Sequence, residues 1–301
     1  MSSRKTLIVV VGPTAIGKTS LSIVLAQKYA TEIVSADSRQ FFIETEIGTA
    51  KPSQEDLQKV PHHFINSHSI SSFFSTGDFE IAALDKLEEL FRVHDVVIMV
   101  GGSGLYINAV CNGLDQLPAT DLLIRESLNK MFLEEGINPI KSQLSTADPE
   151  YFAMVDQFNP QRMIRGLEFF LSTGEKLSSY LTHQKKERPF DIVKIGLNKE
   201  RQALYQQINH RVDEMIEAGL LKEVESLVPY KDLNALHTVG YTELFDYLEN
   251  KLTLEEAVDK IKQNTRRFAK RQITWFGKDK EIKWFEPNQT FEVLDYLDKI
   301  I

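Results

Sequence analysis

The chain has 301 residues, of which 42% are hydrophobic and 26% are charged, and its formal net charge is −8 at pH 7. These proportions are typical of a soluble globular protein with one large domain and an insertion, or with two domains. The acidic balance argues against a general nucleic-acid binder: nonspecific affinity comes from neutralising phosphates, so any RNA-binding surface must be local. The single cysteine, Cys111, rules out an intrachain disulfide and indicates a reducing compartment.

The first residues resemble a signal peptide only superficially. A basic start is followed by an apolar run, but that run lasts only from Leu7 to Val11 before Gly-Pro, which is too short for an export signal. No later stretch is long and apolar enough to span a bilayer. We therefore expect a cytoplasmic protein without a membrane partner, and we expect it to be a monomer.

A nucleotide- or diphosphate-binding motif lies at the start of the chain. Residues 7–19 read LIVVVGPTAIGKT, so a β-branched run leads directly into a complete phosphate loop that precedes a predicted helix. The loop amides are expected to surround phosphate oxygens, Lys18 adds a point charge, and the Thr19 hydroxyl is placed to bind Mg²⁺, the expected cofactor. The predicted phosphate contacts are Gly12, Pro13, Thr14, Ala15, Ile16, Gly17, Lys18 and Thr19.

The acid that phosphate-loop NTPases normally place at the end of a second strand is missing here. The predicted strand at 96–100 ends in Gly-Gly-Ser-Gly, and the nearest acid at a strand end is Asp37, after residues 33–36. The carboxyl ends of parallel strands converge on the ligand crevice, so Asp37 is predicted to face the phosphates or the atom they activate. Asp-Ser also caps turns, which is the alternative. The pattern favours transfer of a group attached to a diphosphate over nucleotide hydrolysis.

Seven motifs in series resemble those of the bacterial tRNA dimethylallyltransferase (isopentenyltransferase) family. The similarity extends from about residue 7 to residue 285, and the motifs occur in one order: GPTAIGKT, IVSADSRQ, IGTAKP at 47–52, PHHF at 61–64, GGSGLY at 101–106, NPQRMIRGLE at 159–168 and TRRFAKRQITWF at 265–276. The resemblance implies transfer of a dimethylallyl group from dimethylallyl diphosphate to N6 of the adenosine just 3′ of the anticodon. Its partner would be the anticodon stem-loop of tRNA.

The resemblance also implies roles for individual residues. Asp37 would be the general base, since a carboxylate within hydrogen-bond reach can take the proton of the poorly nucleophilic adenine amine. Thr14 and Lys18 would assist the leaving diphosphate, together with contacts from Ser103 and Arg162. The tRNA contacts would be Asp37, Ser38, Arg39, Gln40, Ser103, Arg125, Gln161, Arg162, Met163, Ile164, Arg165, Arg267 and Arg271.

One basic helix qualifies as a local RNA-binding surface in this acidic chain. It starts at a capping box, Thr253 to Glu256, and residues 260–271 carry six cations without an acid. Lysines and arginines at 262, 266 and 270 form one row, and Arg267 and Arg271 form the adjacent row. We predict a face that contacts RNA phosphates; the alternative is an ordinary solvated face.

The predicted fold class is α/β, with a parallel sheet like that of phosphate-loop NTPases and a helical insertion. Residues 5–112 alternate between strand and helix, residues 115–188 read as helical only, and a strand at 192–197 returns to the sheet. The predicted organisation is a core of 1–114 and 189–301, with helices towards its C-terminus, and an insertion of 115–188 that contacts tRNA.

Several residues leave two interpretations open. Arg162 lies in the first turn of a helix capped by Asn159, where a cation opposes the helix dipole, so its partner is either a protein acid such as Glu168 or an anionic ligand. Phe41 and Phe42 pack a core or stack on a base. A structural role is expected for the histidines at 62, 63 and 68, and a core position for Trp275-Phe276 and Trp284-Phe285.

Departures from the family pattern include Ser103 for threonine, Phe41-Phe42 for a tyrosine, Asn66 for aspartate, and Thr242 for a cation. Two other activities would use the same phosphate loop. A small-molecule kinase would use Asp37 for magnesium or for a substrate hydroxyl, and an adenylate isopentenyltransferase would accept free AMP or ADP. A non-catalytic RNA- or nucleotide-binding module is the least favoured hypothesis, since Asp37, Lys18 and Thr19 are all present.

Overall fold

A computed structural model of the protein describes residues 5–182 and 184–301, which form two compact units. The first, called the sheet unit, comprises the described residues up to Asn112 and Glu187–Ile301. The second, called the helical unit, is Gly113–Lys186.

The sheet unit is built on one parallel sheet, which confirms the predicted α/β class. Its strands are β1 (Thr6–Val11), β2 (Ile33–Ser35), β3 (His62–His63), β4 (Val96–Gly101), β5 (Asp191–Leu197) and β6 (Lys283–Phe285). They are ordered β3-β2-β4-β1-β5-β6, and all paired neighbours are parallel. Every residue of β1 and β4 is buried, as expected for strands covered on both faces.

The helices before the helical unit are α1 (Lys18–Lys28), α2 (Gln54–Lys59), α3 (Thr76–Phe91) and α4 (Gly104–Asn112). The Ser75 hydroxyl accepts the Asp78 N–H and the Asp78 carboxylate accepts the Ser75 N–H, a capping box that fixes the start of α3. The helices α1 and α3 lie in the connections that lead from β1 to β2 and on to β4. Because these strands are parallel, their carboxyl ends lie at one edge of the sheet.

The helical unit contains α5 (Leu122–Glu135), α6 (Asn138–Ala147), α7 (Pro149–Met154) and α8 (Pro160–Thr173), followed by a 3₁₀ turn at Leu177–Ser179. Asn159 caps α8 through the Arg162 N–H, as predicted. Met163, Ile164 and Leu167 form the buried face of α8, whereas Leu171 is exposed.

After β5 the sheet unit continues with α9 (Arg201–Glu217), α10 (Leu220–Ser226), α11 (Tyr241–Leu248), α12 (Leu254–Phe276) and α13 (Thr290–Leu297). The capping box at Thr253 is present, so the predicted start of the basic helix, α12, is confirmed. The strand β6 and the helix α13 were not predicted. The three residues of β6 are too few to give a periodic signal.

The aromatic residues divide between core and surface. Phe41 is fully buried among Phe74 and Phe79, which confirms the core interpretation and excludes base stacking by its ring. His63 bonds Glu32 through Nε2, in line with a structural role. The core position expected for Trp275 is wrong, because 43% of its surface is exposed.

Across the described ranges, no helix has both the length and the apolar character needed to cross a lipid bilayer.

Candidate active site

The phosphate loop connects β1 to α1, and positive φ angles in its backbone give the loop its shape. Gly12 and Gly17 adopt φ values of 148° and 96°, and Ala15 also lies in the left-handed region, at 63°. A side chain on Gly12 is excluded, since its Cβ would lie 2.5 Å from the Leu197 carbonyl oxygen. Gly17 caps α1 without a side-chain bond, so the first amides of this helix remain available for an anion.

Lys18 folds back over the loop, and its Nζ donates to the Pro13 carbonyl at 2.7 Å. The side chain is partly buried, and this burial removes water from the ammonium. This desolvation lowers the pKa of Lys18 to about 8, the Asp37 carboxylate raises it, and the Arg211 guanidinium lowers it. The three charged groups therefore lie within one electrostatic neighbourhood.

Asp37 is the second residue after the end of β2, in a turn where its Oδ1 accepts the Arg39 N–H at 3.1 Å and its carbonyl accepts the Gln40 N–H at 3.1 Å. The Asp37 carboxylate also raises the pKa of Arg211, whereas burial, the larger effect, lowers it. Asp37 is thus fixed at the carboxyl end of a strand, where the sequence predicted it, and faces two cations.

Two cavities meet at this carboxylate. One, of about 440 Å³, is lined by the phosphate loop and will be called the phosphate cavity. The other, of about 740 Å³, will be called the apolar cavity and is lined by side chains that include Tyr106, Met215, Phe268 and Trp275. Five residues line both cavities: Thr14, Asp37, Thr49, Ala50 and Arg211. A diphosphate in the first cavity and an apolar or aromatic group in the second would meet beside Asp37.

Ser103 lies on the glycine-rich turn after β4, opposite the turn that carries Asp37. Its Oγ accepts the Ser38 N–H at 3.0 Å and lies 3.1 Å from the Ser38 hydroxyl. Both residues line the apolar cavity.

Arg39 and Gln40 were predicted to contact tRNA, but their polar ends bond the protein. Arg39 donates to the carbonyls of Asn234 and Ala235, both at 3.1 Å. Gln40 Nε2 donates to the carbonyls of residues 49 and 50, at 3.2 and 3.1 Å. These two side chains hold the loops that line the cavities.

Sequence reasoning missed two polar residues at the site. Arg211, in α9, lines both cavities beside Asp37, and its neighbourhood carries no recognisable motif. Gln272, in α12, bonds the Thr14 N–H and the Gly102 carbonyl, and it stands inside the quoted TRRFAKRQITWF motif. Its position in that motif was the signal available in the sequence.

In the helical unit, the predicted RNA contacts separate into three groups. The side chains of Met163 and Ile164 are buried in the core of the unit, so assigning them to an RNA surface was wrong. Gln161 and Arg162 are exposed in the first turn of α8. Arg125 and Arg165 form the third group.

Arg125 and Arg165 both bind Glu168, whose side chain is only 1% exposed. Arg125 bonds both carboxylate oxygens, while Arg165 bonds one of them at 3.1 Å and the Thr120 hydroxyl at 2.9 Å. The partners of Glu168 are therefore these two arginines and the Thr120 hydroxyl, which donates to it at 2.9 Å. The bonds to Arg125 and Thr120, opposed by burial, lower the pKa of Glu168. A fixed pair of guanidinium groups around one carboxylate keeps a net positive charge.

The basic face of α12 is smaller than the sequence suggested. Lys262 forms an ion pair with Asp213 at 2.6 Å, and Arg266 donates to Asn209, so α9 engages two of the three cations in that row. Arg267 and Arg271 are exposed. The exposed cations of α12 at 260, 267, 270 and 271 are those available to an anionic partner.

Within the described part of the chain, no three His, Cys, Asp or Glu side chains cluster to hold a metal ion by themselves. The phosphate cavity nevertheless offers oxygen donors in Thr19 and Asp37. His62 lines the same cavity and donates through Nδ1 to the Val60 carbonyl at 2.8 Å, and its buried Nε2 has no partner among the described residues. This donor set fits Mg²⁺ held mainly by phosphate oxygens and water, with the Nε2 lone pair free to accept from a bound water.

The family relationship follows from comparison with known proteins. The IPP transferase family matches residues 40–279. The chain belongs to this family. A relative from Christiangramia forsetii, a tRNA dimethylallyltransferase, is 52% identical over 98% of both chains. Another from Bacteroides thetaiotaomicron, tRNA dimethylallyltransferase 1, is 47% identical over 97% of this chain and 95% of its own.

Solved structures of the family share the fold. The full-length tRNA isopentenylpyrophosphate transferase from Bacillus halodurans superposes with a TM-score of 0.73 at 36% identity, covering 98% of this chain and 96% of its own. A eukaryotic dimethylallyltransferase acting on tRNA gives a TM-score of 0.78 at 27% identity, covering 94% of this chain and 74% of its own. These relationships confirm the resemblance inferred from the seven motifs.

Proposed function

We propose that this chain transfers a dimethylallyl group from dimethylallyl diphosphate to N6 of the adenosine adjacent to the tRNA anticodon on its 3′ side. The observation that carries the proposal is Asp37, which stands at the boundary of the phosphate and apolar cavities beside Lys18 and Arg211. The names of the relatives, tRNA dimethylallyltransferases, agree with this chemistry.

Donor binding is assigned to the phosphate cavity. The free amides at the start of α1, the Lys18 ammonium and the Arg211 guanidinium surround the space in which the diphosphate would lie. Charge develops on the diphosphate as the bond from the allylic carbon to oxygen breaks. Fixed cations and amides at this place stabilise that charge more than they would in water. Thr14 and Ser103 add donors on the two turns that flank the crevice.

Acceptor activation is assigned to Asp37. As the bond from N6 to the allylic carbon forms, the amine becomes acidic, and the Asp37 carboxylate takes one N6 proton. The apolar cavity would receive the adenine and the five-carbon group, and it would exclude water from an allylic carbon that carries partial positive charge. The products are isopentenyladenosine and diphosphate, with the proton held by the carboxylate.

The proposed cofactor is Mg²⁺ at Thr19, which would neutralise charge on the diphosphate when bound. The proposed acceptor is tRNA rather than a free nucleotide. The arguments are the exposed cations of α12 and the fixed arginine pair of the helical unit, which suit a polyanion. A monomer acting in the cytoplasm is part of the same proposal.

The proposal is tested by incubating the protein with radiolabelled dimethylallyl diphosphate and Mg²⁺, offering unmodified tRNA or AMP as acceptor. Label is expected in the tRNA alone, at the adenosine adjacent to the anticodon, without ATP. Incorporation into AMP but not tRNA would make the chain an adenylate isopentenyltransferase. Consumption of ATP with no prenyl transfer would indicate a kinase.

The pH dependence of donor binding follows from Lys18. In the protein without bound donor, the pKa of Lys18 is about 8, so its side chain is a charged ammonium below pH 8 and loses its proton as the pH rises through 8. The terminal phosphate of the donor loses its last proton at about pH 6, so the charge of the donor does not change above about pH 8. Affinity for dimethylallyl diphosphate is therefore expected to fall by up to about tenfold per pH unit above pH 8. Titration calorimetry across this range measures it.

The same titration on Lys18→Ala serves as the control, because the affinity of this variant for dimethylallyl diphosphate should not fall as the pH rises above 8. An affinity of the unmodified protein that stays constant up to about pH 9.5 would show that Lys18 does not bind the donor as a cation.

The two exposed arginines of α12 give a separate expectation for tRNA. Replacing Arg267 and Arg271 together by glutamine should raise the KM for tRNA and reduce the slope of log affinity against log salt by about 2, since each lost phosphate contact reduces it by about 1. Filter binding at several salt concentrations measures the slope. The matched control is Arg92→Gln with Arg201→Gln, two exposed arginines outside the cavities. If replacing Arg267 and Arg271 left the salt slope unchanged, this face of α12 would be an ordinary solvated face that does not contact RNA phosphates.

A further inference from the structure

The side-chain amide of Gln272 joins the two glycine-rich turns of the site. Its Nε2 donates to the Gly102 carbonyl at 2.9 Å, on the turn after β4. Its Oε1 accepts the Thr14 N–H at 2.8 Å, in the phosphate loop. The side chain is only 6% exposed, so both bonds lie in a poorly solvated environment where their loss leaves buried backbone groups unpaired.

The turn after β4 is shaped to let α12 approach it. A Cβ on Gly102 would lie 2.3 Å from Gln272 Nε2, and a Cβ on Gly104 would lie 2.2 Å from Trp275 Nε1. Both positions therefore require glycine for close contact with the same helix. Contact between α12 and this turn thus extends over about one helical turn, from Gln272 to Trp275.

The same helix carries the cations assigned to tRNA. Arg271 precedes Gln272 in the chain, and Arg267 lies on the same exposed row one turn earlier. An α-helix moves as a unit over such short distances, because its backbone hydrogen bonds fix successive residues. A displacement of α12 caused by RNA at these arginines would therefore reach the Gln272 amide.

We propose that Gln272 is a positioning residue that couples tRNA binding on α12 to the geometry of the phosphate loop. RNA bound at Arg267 and Arg271 holds α12 in place, and Gln272 then fixes the Thr14 amide and the Gly102 carbonyl on either side of the diphosphate. This rests on the proposed function. Because coupling between two ligands is reciprocal, tRNA and diphosphate each raise the affinity for the other.

The test measures the Kd of inorganic diphosphate with Mg²⁺, in the absence and in the presence of saturating unmodified tRNA transcript. In the unmodified protein, tRNA is expected to lower this Kd by about 5- to 100-fold. In Gln272→Met, which removes both hydrogen bonds at similar volume, the Kd should become the same with and without tRNA. The Kd for tRNA measured without diphosphate should change little, while kcat should fall because the loop is no longer fixed.

The control is Gln263→Met, the same substitution at an exposed position of α12, which should keep the full coupling. Thermal melting of both variants verifies that they fold. Equal coupling in Gln272→Met and Gln263→Met would overturn the inference. It would also be overturned if adding tRNA did not change the diphosphate Kd of the protein without substitutions. Absence of prenyl transfer to tRNA by the unmodified protein would instead contradict the proposed function.

A second variant keeps the inference testable if Gln272→Met does not fold. Gln272→Glu retains an acceptor for Thr14 but donates to Gly102 only when its carboxyl is protonated. Coupling is therefore expected to be lost at about pH 8 and partly restored near about pH 5.5, a recovery that Gln263→Met should not show. A variant whose coupling matches the unmodified protein at both pH values would contradict the role of the Gly102 bond.

Discussion

Replacing Asp37 by asparagine is expected to lower kcat by about two orders of magnitude or more, because the proton acceptor is lost while its shape is kept. Diphosphate binding should remain nearly intact, since the phosphate loop, Lys18 and Arg211 are unchanged. Single-turnover assays with radiolabelled donor measure the chemical step, and equilibrium binding of inorganic diphosphate measures the cavity. Both are run near pH 7, since removing the Asp37 carboxylate lowers the pKa of Lys18 further.

The matched control for this variant is Asp78→Asn, which changes a carboxylate that caps α3 and lies outside both cavities. It should lower stability without changing kcat per folded molecule. Near-normal turnover by Asp37→Asn at saturating Mg²⁺, combined with impaired magnesium affinity, would make Asp37 a metal ligand, as a kinase requires.

Replacing Lys18 by alanine is expected to weaken donor binding whatever acceptor is present. A hydrogen bond to a charged group contributes about 1.5–3 kcal/mol, so the Kd for dimethylallyl diphosphate should rise by about 10- to 100-fold. Because charge on the diphosphate increases as it leaves, kcat should fall as well. Calorimetry with donor alone, followed by steady-state kinetics with tRNA, separates the two effects.

Lys28→Ala serves as the control, because Lys28 ends the same helix and bonds Asp298 away from the cavities. Its donor affinity should match that of the unmodified protein. Unchanged affinity in Lys18→Ala would mean that the diphosphate is held by Arg211 and the loop amides, with the ammonium serving only to bond Pro13.

The sequence predicted best those features whose causes are local. The phosphate loop, the capping box at Thr253 and the asparagine cap of α8 each depend on residues within a few positions. The parallel sheet followed from the alternation of strands and helices, although no strand order was predicted. The strand-end position of Asp37 followed in turn from that topology.

What the sequence did not predict depends on residues far apart in the chain. Gln272 bonds Thr14 across 258 positions, and no periodic pattern indicates which residue of a helix will meet a loop. Lys262 was placed on the RNA-contacting face because residues 260–271 contain no acid, but α9 supplies Asp213. Trp275 was placed in the core on composition alone, whereas it borders a cavity.

The buried Glu168 changes how alanine scanning of the helical unit should be interpreted. Removing either Arg125 or Arg165 leaves a carboxylate that is 1% exposed with one cation instead of two and without the hydrogen bonds of the missing guanidinium, so the variant loses folding stability along with any RNA contact. A weakened RNA affinity in such a variant therefore combines two causes. Repeating each substitution in a Glu168→Gln background removes the buried negative charge. The difference in RNA affinity that remains then measures the contribution of that arginine to RNA binding.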